Sequence, residues 1–126
     1  MPTNIKPVPG IPKSQKLNDL MVAIATMEGF FNNRPSLAKK NNNPGNLRAS
    51  SLAKTKVNGY CVFETIEIGW NALERQIRLD AGRGDDLRKF IYEYAPKEDN
   101  NMPDKYLAFV MKKTGIKAEE KLKDIL

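Results

Sequence analysis

The sequence contains no histidine and only one cysteine. Without histidine there can be no Ser-His or Cys-His hydrolase, and a catalytic zinc site loses its commonest ligand. With a single thiol, Cys61, no internal disulfide forms. Cys61 lies in the run Tyr60-Cys61-Val62-Phe63 and reads as a small buried hydrophobe rather than a nucleophile. No apolar run approaches the roughly 20 residues that span a bilayer, so stable membrane insertion is not expected. Met1 to Gly10 lacks the basic-then-apolar pattern of a secretory signal, so the general export route is not expected to carry the chain. Acid–base chemistry therefore falls to carboxylates, with lysine and tyrosine as lesser options, and neither metal nor cofactor is expected.

What remains suits one folded domain. A chain of 126 residues supports one core but not two, and 40% hydrophobic with 29% charged residues is ordinary globular composition. Lys and Arg outnumber Asp and Glu by 21 to 15, a net charge of +6. Such a surplus draws a protein toward polyanions, whether nucleic acid, an anionic membrane face or the bacterial wall, or simply keeps it soluble. No stretch aligns basic residues with an aromatic reading surface, so nucleic acid is not an expected partner.

Residues 1–14 carry Pro2, Pro7, Pro9 and Pro12 and read as an extended lead-in; the folded domain is expected over 15–126. A first helix is predicted from about Lys16 to Phe31, with Leu17, Leu20, Met21, Ile24, Glu28 and Phe31 on one face. A polar loop follows from Asn32 to Asn46, and Asn58-Gly59 marks a hairpin turn before a strand Tyr60–Phe63. Thr65 is placed to cap a helix using Trp70, Leu73 and Ile77 and ending near Gly82. Asp85 is expected to cap the next, with Leu87, Phe90, Ile91 and Tyr94 inward. A further helix runs from Pro103 to Gly115, and a short last one takes Ala118, Leu122 and Ile125. The fold class is α+β and mostly helical, with the small β-hairpin forming one wall of a cleft.

Glu28 is the residue out of place. A carboxylate beside an apolar stripe must pair with a cation, keep its proton or open onto a cleft. Arg48, Lys39 or Arg75 could supply the cation. Two features favour a cleft: Gly29 weakens the helix beside it, and an amide-rich turn follows whose groups can bind hydroxyl and acetamido groups. A partly buried Glu with a raised pKa is what glycoside cleavage requires of its proton donor. Glu64 is a possible second carboxylate, but beside Glu67 it reads better as negative charge at a helix N-terminus. Asp99 reads as a turn former or helix cap, and Trp70 and Phe63 as core.

These residues carry a resemblance. Ala23-Ile24-Ala25-Thr26-Met27-Glu28-Gly29-Phe30, then Lys39-Lys40-Asn41-Asn42-Asn43-Pro44-Gly45-Asn46-Leu47-Arg48, resemble phage-encoded lysozyme-like proteins. Those proteins are similar in fold to goose-type lysozymes and soluble lytic transglycosylases. Phe63, Gly69-Trp70-Asn71-Ala72-Leu73, Tyr94-Ala95-Pro96-Lys97-Glu98-Asp99-Asn100, Tyr106, Val110 and Thr114-Gly115 continue it, over residues 18–126. The chain departs at Tyr94, where tryptophan is common, and at Lys39-Lys40, where the run is more mixed.

The resemblance implies a lysozyme-like domain, active as a monomer on peptidoglycan glycan strands between N-acetylmuramic acid and N-acetylglucosamine. It implies Glu28 as acid and base without an obligatory second carboxylate, and hydrolysis or anhydro-forming transglycosylation as the outcome. Gly45 and Asn46 would line the cleft, Tyr94 would face the reacting sugar, and Asn100 would contact substrate. Action in the periplasm, as an endolysin or as part of the virion, is implied as well. Because the family includes members described only as structural, a non-catalytic virion or wall-binding protein of the same fold is the alternative.

Overall fold

Ser14 opens the first helix by accepting the Leu17 N–H on its hydroxyl oxygen at 3.0 Å. The computed structural model describes residues 14–95 and 102–126. Helix α1 (Gln15–Met27) buries Leu17, Leu20, Met21 and Ile24 completely, and it packs chiefly against α5 (Pro103–Thr114). The Ser14 hydroxyl also donates to the Ile125 carbonyl, joining the helix start to the chain's last residues.

The expected run of α1 to Phe31 is not observed; the helix ends at Met27 and Glu28 is its C-cap. Gly29 adopts φ +82°, its N–H bonds the Thr26 carbonyl at 3.1 Å, and the Phe30 N–H reaches the Ala25 carbonyl at 3.0 Å. That pair of bonds is the Schellman closure of a helix, which a glycine in the left-handed region permits at little cost. The chain then turns so that Phe30 meets the Trp70 ring edge-on at 5.5 Å, while Phe31 stays largely exposed.

The predicted loop contains one helical turn, α2 (Leu37–Lys40), capped by Ser36. Four residues are too few for hydrophobic spacing to reveal them. The hairpin pairs β1 (Thr55–Val57) with β2 (Tyr60–Val62) in the register Thr55↔Val62, Lys56↔Cys61, Val57↔Tyr60. Asn58 and Gly59 turn it with φ +52° and +83°, the two positive angles of a tight hairpin. The strand stops one residue before Phe63, whose N–H instead bonds the Asn41 carbonyl at 2.9 Å.

Thr65 caps α3 (Ile66–Gly82) as expected, and Trp70, Leu73 and Ile77 lie in the core. For α4 (Leu87–Tyr94) the cap is Asp86, which accepts the Lys89 N–H at 2.8 Å, not Asp85. Asp85 is instead buried and faces the Lys89 ammonium at 3.5 Å. Helix α5 starts on Pro103 and closes on Gly115 at φ +76°. Where a last helix was expected, a single 3₁₀ turn spans Leu122–Asp124; Ala118, Leu122 and Ile125 are nevertheless all buried. The described residues therefore form a mostly helical α+β arrangement with one hairpin. The proline-rich lead-in through Pro12 lies outside them, as do Pro96, Asp99 and Asn100.

Among the described glycines, Gly69 leaves the least room for a side chain. A Cβ built there would stand 2.0 Å from the Asn42 carbonyl oxygen and 2.8 Å from Pro44 Cδ. Helix propensity alone would make Gly69→Ala stabilising by about 0.5–1 kcal/mol, whereas forcing backbone apart costs about 1–3 kcal/mol. We expect packing to win: urea denaturation of Gly69→Ala should show a net loss of about 1–2 kcal/mol.

Candidate active site

The asparagine-rich turn is built into the fold before it is offered to any ligand. Asn43 is fully buried, donates from Nδ2 to the Leu47 and Cys61 carbonyls at 3.0 Å each, and accepts the Leu47 N–H on Oδ1 at 2.9 Å. Asn42 donates to the Phe63 carbonyl at 3.0 Å. These amides hold the loop to the hairpin, so the expectation that the whole turn serves as a binding surface narrows to Asn46. That residue, at φ +50°, lines a cleft of about 480 Å³.

Glu28, Asn46 and Tyr94 share this cleft with Leu47, Arg48 and Tyr60 on the hairpin side. From α3, the loop after it and α4 come Gln76, Asp80, Arg83 and Glu93. Glu28 comes from the C-cap of α1, where the Schellman turn directs the chain away and leaves its carboxyl at the cleft. Oε2 accepts the Tyr106 hydroxyl at 2.8 Å. Burial pushes the Glu28 pKa up; the Tyr106 hydroxyl and the Asn46 amide pull it down less, and the net shift is upward. No lysine or arginine among the described residues enters that balance, so the expected cation partner is not found in Arg48, Lys39 or Arg75. Arg48 instead lies over the Tyr60 ring at 4.9 Å and donates to its hydroxyl at 3.0 Å.

The other expected site residues fall in different places. The Tyr94 hydroxyl donates to the Gly45 carbonyl, and its ring lies 6.5 Å from that of Tyr106. Burial and the nearby carboxylates of Glu28 and Asp80 raise the Tyr94 pKa far above the usual phenol range, so it stays neutral. Gly45 is buried behind this wall and is not among the residues lining the cleft. A Cβ on it would stand 2.4 Å from the Tyr94 hydroxyl oxygen, so Gly45 serves by leaving room for that side chain. Asn100 lies outside the described residues. Glu64 is exposed and does not line the cleft.

Two groups near the acid went unread in the sequence. Tyr106 is buried like a core residue, but its hydroxyl ends on Glu28. Asp80 is 5% exposed and lines the cleft. Its spacing was visible: positions 70, 73, 77 and 80 continue one helical stripe, the same kind of placement that singled out Glu28. Asn46 Oδ1 is sealed from solvent and has no hydrogen-bond donor among the described residues.

The chain matches no protein-family model, no curated protein and no solved structure.

Folded Glu28 keeps its proton to higher pH than the unfolded chain does. Between the unfolded value, about 4.3, and the higher folded one, the folded state binds more protons, so stability falls as pH rises through that window. Glu28→Gln removes this loss. Its melting temperature should exceed the parent's at pH 7, and the gap should close at pH 4; a gap independent of pH would contradict the assigned balance.

Proposed function

We propose that this protein is a peptidoglycan-degrading glycosidase that cleaves the bond between N-acetylmuramic acid and N-acetylglucosamine, with Glu28 as its acid. One observation carries the reading: a carboxyl with no cation partner among the described residues, its pKa raised by burial, opens onto a cleft. The resemblance of the segments around Glu28 and Asn46 to phage lysozyme-like proteins supplies the substrate. Read with it, the protein is a phage-encoded monomer acting on the wall in the periplasm.

In this reading protonated Glu28 donates to the glycosidic oxygen, and the bond breaks through an oxocarbenium-like state helped by the substrate's acetamido group. Tyr106 positions the Glu28 carboxyl and, by donating to it, stabilises the anion left after transfer. Asn46 lines the cleft and donates its amide to the Glu28 carboxyl, holding it toward the substrate. Tyr94 presents a neutral ring on the cleft wall.

Loss of the acid should be severe. Glu28→Gln is expected to reduce release of fragments from purified walls at least about a hundredfold while the helical circular dichroism is retained. Wall binding with no release by the parent itself would instead favour a non-catalytic virion or wall-binding protein. Tyr106→Phe tests the hydrogen bond separately. Removing a donor to the anion raises the Glu28 pKa further, so the alkaline limb of the pH–activity profile should move to higher pH. An unmoved or lowered limb would remove Tyr106 from the mechanism.

A further inference from the structure

Three carboxylates line the cleft, and only one besides Glu28 is both buried and anchored. Glu93 is exposed, whereas Asp80 is held by two neighbours that also line the cavity. Gln76 Nε2 donates to Asp80 Oδ1 at 3.2 Å, and the Arg83 guanidinium donates to the same oxygen. Among the described residues nothing donates to Oδ2. The contrast with Asp85 is informative. Both oxygens of Asp85 are sealed from solvent without a hydrogen bond, and neither oxygen of Asp80 is in that state. Asp80, which lines the cleft, therefore has one oxygen pinned twice and, among the described residues, the other without a donor.

We propose that Asp80 is the second catalytic carboxylate, the base that activates the attacking water and so commits this cleft to hydrolysis. The proposal rests on the glycosidase reading of Glu28. The Glu28 proton passes to the glycosidic oxygen as the bond from that oxygen to the anomeric carbon breaks, the electron pair leaving on oxygen. A water oxygen bonds the anomeric carbon and gives its proton to Asp80 Oδ2. The products are two free hydroxyls, one of them the reducing end of N-acetylmuramic acid, and solvent returns the proton from Asp80 to Glu28. With Asp80 activating the water, that water takes the place of acetamido assistance, and its direct attack on the face opposite the leaving oxygen gives inversion.

The surroundings suit a base. Burial raises the Asp80 pKa, Arg83 opposes it, and Asp85 and Glu93 add to it, with a net upward shift. Both Asp80 and Glu28 act on the Tyr94 hydroxyl, so the aromatic wall lies within electrostatic reach of each. Asp80→Asn preserves an oxygen acceptor for Gln76 and Arg83 while removing the basicity and the charge that faces Arg83.

Purified peptidoglycan digested in ¹⁸O-water and resolved by mass spectrometry tests this. The parent should yield reducing ends carrying one ¹⁸O. Asp80→Asn should release them at least about a hundredfold more slowly. Azide, a nucleophile that needs no base, should restore cleavage in Asp80→Asn but not in Glu28→Gln. Anhydro ends from the parent, parental rates from Asp80→Asn, or no azide rescue would overturn the role of Asp80 and leave Glu28 standing. No fragments from the parent would overturn both assignments. Should Asp80→Asn fail to fold, Asp80→Glu carries the test: slowed release of labelled ends supports the base, and a parental rate overturns it.

Discussion

The amide of Asn43, enclosed with three hydrogen bonds to the main chain, is the contact on which the site depends. It ties Leu47 and Cys61 together, and so ties the asparagine-rich turn to a hairpin whose two short strands would be marginal alone. On its other side the same turn lies against Gly69, where α3 presents no Cβ and the Asn42 carbonyl comes close. With the turn clamped between hairpin and helix, Asn46 is held in the left-handed region beside Glu28. The Gly45 carbonyl is then in place to receive the Tyr94 hydroxyl. One buried amide thus orients three walls of the cleft.

The electrostatics of the cleft run against those of the molecule. The chain carries a net +6, yet the carboxylates of Glu28, Asp80 and Glu93 converge in one cavity with Arg48 and Arg83 at its lining. In the proposed reading a basic surface favours approach to an anionic wall, while inside the cleft burial raises the pKa of Glu28 and of Asp80. Burial is the largest influence on both Glu28 and Asp80, and the difference between them lies in their partners. Among the described residues Glu28 has the neutral donors Tyr106 and Asn46, and its pKa is raised. Asp80 has Arg83, which favours its charge. Both carboxyls are raised, and a cation beside only one of them suits the division into an acid and a base that the proposal makes.

Much of the helical frame was legible in the chain itself. Thr65, Pro103 and Gly115 mark boundaries through chemistry that acts within one turn, and Asn58-Gly59 needs only its own backbone angles. The errors lay where local rules compete. Glu28 and Phe31 share the spacing of α1, but Gly29 closes the helix between them. Asp85 and Asp86 are equally able to cap α4, and the one that is buried cannot be known from adjacent residues. The asparagines read as a surface for ligands, although two of them spend their amides on the hairpin.

By itself the sequence determined that carboxylates are the main candidates for acid–base chemistry, that Glu28 sits at the edge of an apolar helix face, and that a rigid turn follows it. Those conclusions depend on composition and on spacing along one element. Only the tertiary structure decided which side chains meet: Tyr106 from α5 on Glu28, Tyr94 from α4 over Gly45, and Asp80 from α3 in the same cleft. Each pairing joins residues far apart in the chain. Helical spacing places a residue on a face, and only packing brings another element's face opposite it.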